Sequence, residues 1–163
     1  MKNIAYILLF LATLGWAEQV YMKPSDFLKS HYGSIPKTQA LELTSARQKK
    51  IKKLLGRNYQ GSRVRFWSEG GKSCFILEEI GKSKPITTGF CIQGGKVKEM
   101  RVLIYRESHG WEVEKLFFRK QVAGATLNGE KLSKKPGNIA GATLSVNALT
   151  KLTKVALYLD TQI

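Results

Sequence analysis

The pentapeptide AGATL occurs twice, at residues 123–127 and 140–144. The residues downstream of the two copies set them apart. The first runs into NGEKL, a glycine-containing turn with no helix behind it. The second delivers Thr143 to the start of SVNALTKLTKVALYLD, where Val146, Leu149, Leu152, Val155, Ala156 and Leu159 recur at helical spacing. Ser145 is the expected N-cap of that helix. Helix N-termini present unpaired N–H groups and a partial positive charge, so they hold phosphate well. Gly141 and Ala142 leave the backbone open to a bulky group in front of Thr143. A hydroxyl placed there is a weak nucleophile alone, because no base adjoins it in sequence. It becomes an acceptor when a second protein supplies the activation. The simpler account is a tight lead-in to a capped helix, and local physics alone favours it.

Other chemistry finds little footing. The chain has no GxSxG, Walker loop, HExxH or CxxC. Its two histidines, His31 and His109, lie far apart and form no metal-ligand spacing. Cys74 and Cys91 sit in SCFILEEI and ITTGFCIQ, which read as two strands around the turn-rich GKSKP. A turn centred near Lys82 and Ser83 sets the cysteines opposite each other. An oxidising compartment permits a bridge there, yet a tight cross-strand disulfide is geometrically demanding. The sequence leaves the thiol and disulfide states open.

The address comes from the first residues. MKNIAYILLFLATLGWA has one cation, Lys2, an apolar run from Ile4 to Leu14, and small residues at Gly15 and Ala17. That is the layout of a secretory signal peptide cleaved near Ala17; the alternative is an uncleaved anchor. The expectation is a periplasmic or otherwise extracytoplasmic protein. Lys and Arg number 27 against 12 Asp and Glu, a formal charge of +15. Outside the cytoplasm such a charge points to an anionic membrane surface or an acidic protein rather than to nucleic acid.

Periodicity and turn chemistry outline the elements that must position Thr143. Residues 18–60 are expected to be an N-terminal helical segment. KPSDFLKSHYG reads as a helix with Ser25 as its cap and Gly33 as its stop, and LTSARQKKIKKLLG as one running from Thr44 or Ser45 to Gly56. Residues 61–163 hold the strands: SRVRFWS, the cysteine hairpin and GGKVKEMRVLIYRE. A long excursion, residues 108–138, precedes the final helix, and loops of that length tend to be functional or mobile. The fold class expected is α+β: a twisted antiparallel sheet with packed helices.

Three blocks in order, GKVKEMRVLIYRESHGWEV, FFRKQVAG and NIAGATLSVNALTKL, resemble the exported FMN-binding domain family. That family includes the C subunit of sodium-translocating NADH:quinone reductase, and the likeness runs from about Phe75 to Tyr158. The resemblance implies an electron-transfer flavoprotein rather than a stand-alone enzyme. It implies FMN joined through its phosphate to Thr143 by a magnesium-dependent flavin transferase that uses FAD. Gly141, Ala142, Leu144 and Ser145 are then the cofactor-binding residues around it. The family's acidic loop corresponds to Glu107, Ser108, His109 and Gly110, and implies contacts with the flavin ring. Trp111 and Tyr105 are neighbouring aromatics that face the ring or serve as ordinary core. Phe118 and Gln121 match an F-x-x-Q piece that packs the excursion beneath the cofactor. A membrane redox complex is the implied electron donor or acceptor. Two positions depart from the family pattern: Gly137 stands where an aspartate is usual, and Ala140 replaces a common serine. The competing class is a flavin-free envelope module on the same fold.

Overall fold

The computed structural model describes residues 18–163. The expected signal peptide, residues 1–17, lies outside the described residues. The chain folds as α+β, with a six-stranded antiparallel sheet in the order β1-β6-β5-β4-β3-β2. These strands are β1 (Gln19–Val20), β2 (Gln39–Glu42), β3 (Arg63–Glu69), β4 (Lys72–Ile80), β5 (Pro85–Gln93) and β6 (Lys96–Tyr105). Strands β3 to β6 form the meander expected from their alternation and their glycine-rich turns. Residues 18–60 are more than the helical segment expected of them, because they also supply both edge strands of the sheet.

Two helices lie in that segment: α1 (Pro24–Tyr32) and α2 (Ser45–Leu55). Thr44 caps α2 through its hydroxyl, which accepts from the Arg47 N–H, and Gly56 ends the helix in the left-handed region. Gly33 ends α1 as expected, but Ser25 does not cap it. The cap position is Lys23, with Pro24 opening the helix. Proline suits that place because its missing N–H would have no helical partner anyway.

The sheet separates two cores. One face carries Phe66, Phe75, Leu77, Phe90, Met100 and Val102 against α2 and the C-terminal helix α4 (Thr143–Asp160). The opposite face carries Cys74, Cys91 and Leu103 beneath Phe27 and Leu28 of α1. Gly89 is required in β5 because the Phe27 ring lies on it; an added Cβ would stand 2.6 Å from that ring.

Cys74 and Cys91 are direct partners in the β4–β5 ladder, and they form a disulfide with their Cα atoms 4.1 Å apart. The hairpin turn falls at Lys82 and Ser83, so the register predicted from sequence is the one adopted. Both cysteines are fully buried under α1.

A bulge decides what the end of β6 can do. Thr87 pairs with Ile104 but Thr88 pairs with Val102, so Leu103 is an extra residue in β6. Its carbonyl accepts instead from the N–H groups of Tyr21 and Met22. An extra residue inverts the alternation of every side chain after it. Leu103 and Ile104 therefore both lie on the α1 side, and Tyr105 enters the core beneath α4. Beyond β6 come a 3-10 turn (Trp111–Glu114), the short helix α3 (Leu116–Val122) and a hairpin of β7 (Leu127–Asn128) with β8 (Lys131–Leu132). Among the described residues, no helix is long and apolar enough to cross a membrane.

Candidate functional site at the N-terminus of the last helix

Helix α4 starts at Thr143, about one turn earlier than a cap at Ser145 would allow. Its N-cap is Ala142, which has no side chain able to bond the first N–H groups. The first intrahelical bond runs from the Val146 N–H to the Ala142 carbonyl, 2.9 Å. The N–H groups of Thr143, Leu144 and Ser145 thus form the open end of an 18-residue helix. Gly141 reaches this corner with φ +78°.

Ser145 does not serve as the expected cap. It is the third helical residue, it is buried, and its hydroxyl lies 2.8 Å from the Tyr105 hydroxyl. Tyr105 spends its single proton on the carbonyl of His109 at 2.5 Å, so Ser145 must be the donor between the two hydroxyls. Burial pushes the Tyr105 phenol up to about 12, with the Ser145 hydrogen bond opposing and the charges of Glu107 and Glu112 adding. Tyr105 remains a neutral donor across the physiological range. It is core, the second of the two roles its position allowed.

Gly110 explains why the loop after β6 lies so close to the helix. Its φ is +88°, and an added Cβ would stand 2.7 Å from the Ser145 Oγ, 3.0 Å from the Tyr105 hydroxyl and 3.2 Å from the Ala142 Cα. Only a residue with no side chain permits that backbone path and that approach.

The Glu107 carboxylate clamps the β4–β5 turn. Its Oε1 accepts from the backbone N–H groups of Lys82, Ser83 and Lys84 at 2.6, 2.6 and 2.8 Å, and its Oε2 from the Ser83 hydroxyl at 3.1 Å. Partial burial opposes its ionisation, but these four donors outweigh it and hold the carboxyl below its usual range. The carboxylate pins the β4–β5 turn beside the helix start. Lys82 is brought there by this clamp, and no local pattern in the sequence announces it.

The result is an open depression of about 420 Å³ lined by Lys82, His109 and the run Gly141 to Ser145. Thr143 and Leu144 are exposed at it, while Ala142 is buried. Ser108 lies at the rim of the loop, with its Oγ 2.7 Å from the His109 Nδ1. Trp111 does not line the depression. It opens the 3-10 turn, 42 % exposed, with the Lys115 ammonium 4.6 Å from the centre of its ring. Phe118 is fully buried, and the Gln121 Oε1 accepts from the Gly137 N–H at 2.7 Å, tying α3 to the lead-in of α4. The first AGATL copy ends in the β7–β8 hairpin, where the Thr126 N–H donates to the Ser133 hydroxyl at 3.0 Å, away from the helix start.

The site therefore gathers Thr143, Leu144, the N–H groups of an uncapped helix, Lys82 and His109. Such a set can hold an oxyanion next to an exposed hydroxyl. No protein-family model matches the chain, and comparison with curated proteins and with solved structures returned no match.

Proposed function

We propose that this chain is an extracytoplasmic electron carrier whose FMN is joined through its phosphate to Thr143. The observation that carries this reading is the exposed Thr143 as first residue of an uncapped 18-residue helix, at a depression that also holds Lys82. A phosphodiester on Thr143 fits these residues: the N–H groups of Thr143 to Ser145 and the Lys82 ammonium all favour its charge. The exposed Leu144 side chain offers an apolar contact for the rest of the group. Tyr105 and Gly110 are buried and hold the corner in place.

Attachment requires a partner, the transferase that brings FAD and magnesium to the Thr143 hydroxyl. The Thr143 Oγ attacks the flavin-side phosphorus of FAD, the bond to the other phosphate breaks, and AMP leaves. The hydroxyl proton passes to the magnesium-dependent transferase. Bound there, the flavin supplies the redox chemistry. Lys82 at the depression favours the reduced, more negative form, and the chain's overall excess of Lys and Arg favours an acidic or membrane-bound redox partner. Export through the leader agrees with a buried disulfide, which belongs in an oxidising compartment.

One feature favours the flavin-free module instead. Gly137, at the position of the usual aspartate, offers only its N–H, and that is bonded to Gln121. Co-expression with a flavin transferase, with a denaturing gel then viewed under ultraviolet light, separates the two. The carrier gives a fluorescent band that survives denaturation. A dark band beside a fluorescent positive control would leave the flavin-free module.

A further inference from the structure

The α1 face of the sheet is covered only in part. α1 packs on β5 through Phe27, and the outer halves of β3 and β4 stay open. Two depressions occupy this surface, about 700 Å³ beside α1 and about 560 Å³ toward the β4–β5 turn. Tyr59, Arg65 and Ile76 line both, so together they form one trough across the sheet. Its α1 end sets Leu28, Ile35 and Trp67 beside Ser25, Thr38 and Arg63, so apolar and polar surface meet there. Ile35 and Ile80, one toward each end, are exposed large apolar side chains.

The charges of the trough are committed except at its centre. The Arg57 Nε is 3.0 Å from the Glu79 Oε1, and the Arg63 Nε is 3.5 Å from the Glu42 Oε1. Glu78 accepts from the Thr87 hydroxyl at 2.5 Å and lies 3.6 Å from Arg106. Among the described residues, the Arg65 side chain has no hydrogen bond and no ion pair. A guanidinium presents a planar fork of donors that suits a carboxylate. Arg65 lines the depression beside α1 together with Tyr59 and Trp67.

We infer that this trough binds a small amphiphile with a carboxylate head and an aliphatic body. The head meets Arg65 and the body lies along Trp67, Ile76 and Leu28 under the edge of α1. This site is independent of the Thr143 site, since none of its residues lines the depression at the start of α4.

The test is a titration of the full chain with decanoate below its micelle concentration, read as backbone amide shifts by NMR. The expected result is saturable shifts at Arg65, Trp67 and Ile76, tighter binding from hexanoate to decanoate, and none with acetate. Arg65→Gln, an exposed substitution that keeps the fold, should weaken decanoate binding about tenfold or more. A second variant, Ile76→Asp, sets a carboxylate beside Arg65 and should abolish binding while the melting transition stays cooperative. Shifts scattered over the surface, equal binding of acetate, or unchanged affinity in Arg65→Gln would overturn it.

Discussion

The hydroxyls of Tyr105 and Ser145 lie 2.8 Å apart across 40 positions of sequence, and they join the end of β6 to the first turn of α4. Replacing Tyr105 by Phe leaves the Ser145 hydroxyl and the His109 carbonyl without their buried partner. The expected loss is about 1–3 kcal/mol, measured as a shift in the denaturant midpoint. Combined with Ser145→Ala, the two changes should be non-additive, because they remove one shared bond. Strict additivity would contradict the coupling.

Gly110 is held twice, by its φ of +88° and by the Ser145, Tyr105 and Ala142 atoms around it. Gly110→Ala should cost roughly 2–4 kcal/mol from backbone strain and overpacking together. Gly94, in the β5–β6 turn, also has positive φ but nothing within 4 Å of an added Cβ. Gly94→Ala should therefore cost only the strain, about 1 kcal/mol. Paired chemical denaturation curves decide this, and equal losses would refute the contribution of packing.

The Cys74–Cys91 bridge closes a separation of 17 residues under α1, and both sulfurs are sealed from solvent. Native protein should show no reactive thiol, and mild reductant should act only once the fold has opened. The double replacement Cys74→Ala with Cys91→Ala should lose about 2–4 kcal/mol. Thiol titration in native and denaturing buffer, with and without reductant, checks the first statement, and denaturant midpoints check the second.

Much of the fold is legible in the sequence, and the exceptions have identifiable causes. The hairpin register comes from turn residues between two alternating strands, and the α2 ends come from Thr44 and Gly56. β1 and β2 escape a reading of periodicity because two and four residues at a sheet edge carry almost none. Ser145 has the signature of a cap, a hydroxyl before an apolar run. Its burial depends instead on Tyr105, which a bulge at Leu103 turns inward. The unbroken run Val102 to Tyr105 is the available sign that alternation fails there. Glu107 and Lys82 meet only through a long-range contact, so neither role is visible locally. The Arg65 trough is likewise a product of topology, assembled from α1, β3, β4 and the loop before β3.

Glu99 lies 3.1 Å from the His31 imidazole, 2.9 Å from Arg101 and 2.6 Å from Arg119. The close approach of the His31 imidazole is the largest influence; burial opposes it, and the two arginines add to it, lowering the carboxyl from 4.5 to about 2. A carboxylate depressed in the folded state adds stability above its unfolded value and loses it as pH falls through the folded one. Stability should therefore decline as pH falls from about 4.5 to about 2. Glu99→Gln should flatten that part of the profile, read as urea midpoints against pH. An unchanged acid limb would show that the cluster is not paired in solution.

The central claim is that Thr143 carries the flavin. Intact mass of the protein co-expressed with a flavin transferase, beside Thr143→Ala, tests it most directly. The predicted result is an increase equal to FMN less one water in the wild type and none in the variant. An unmodified wild-type mass, in cells that flavinylate a control protein, would contradict it.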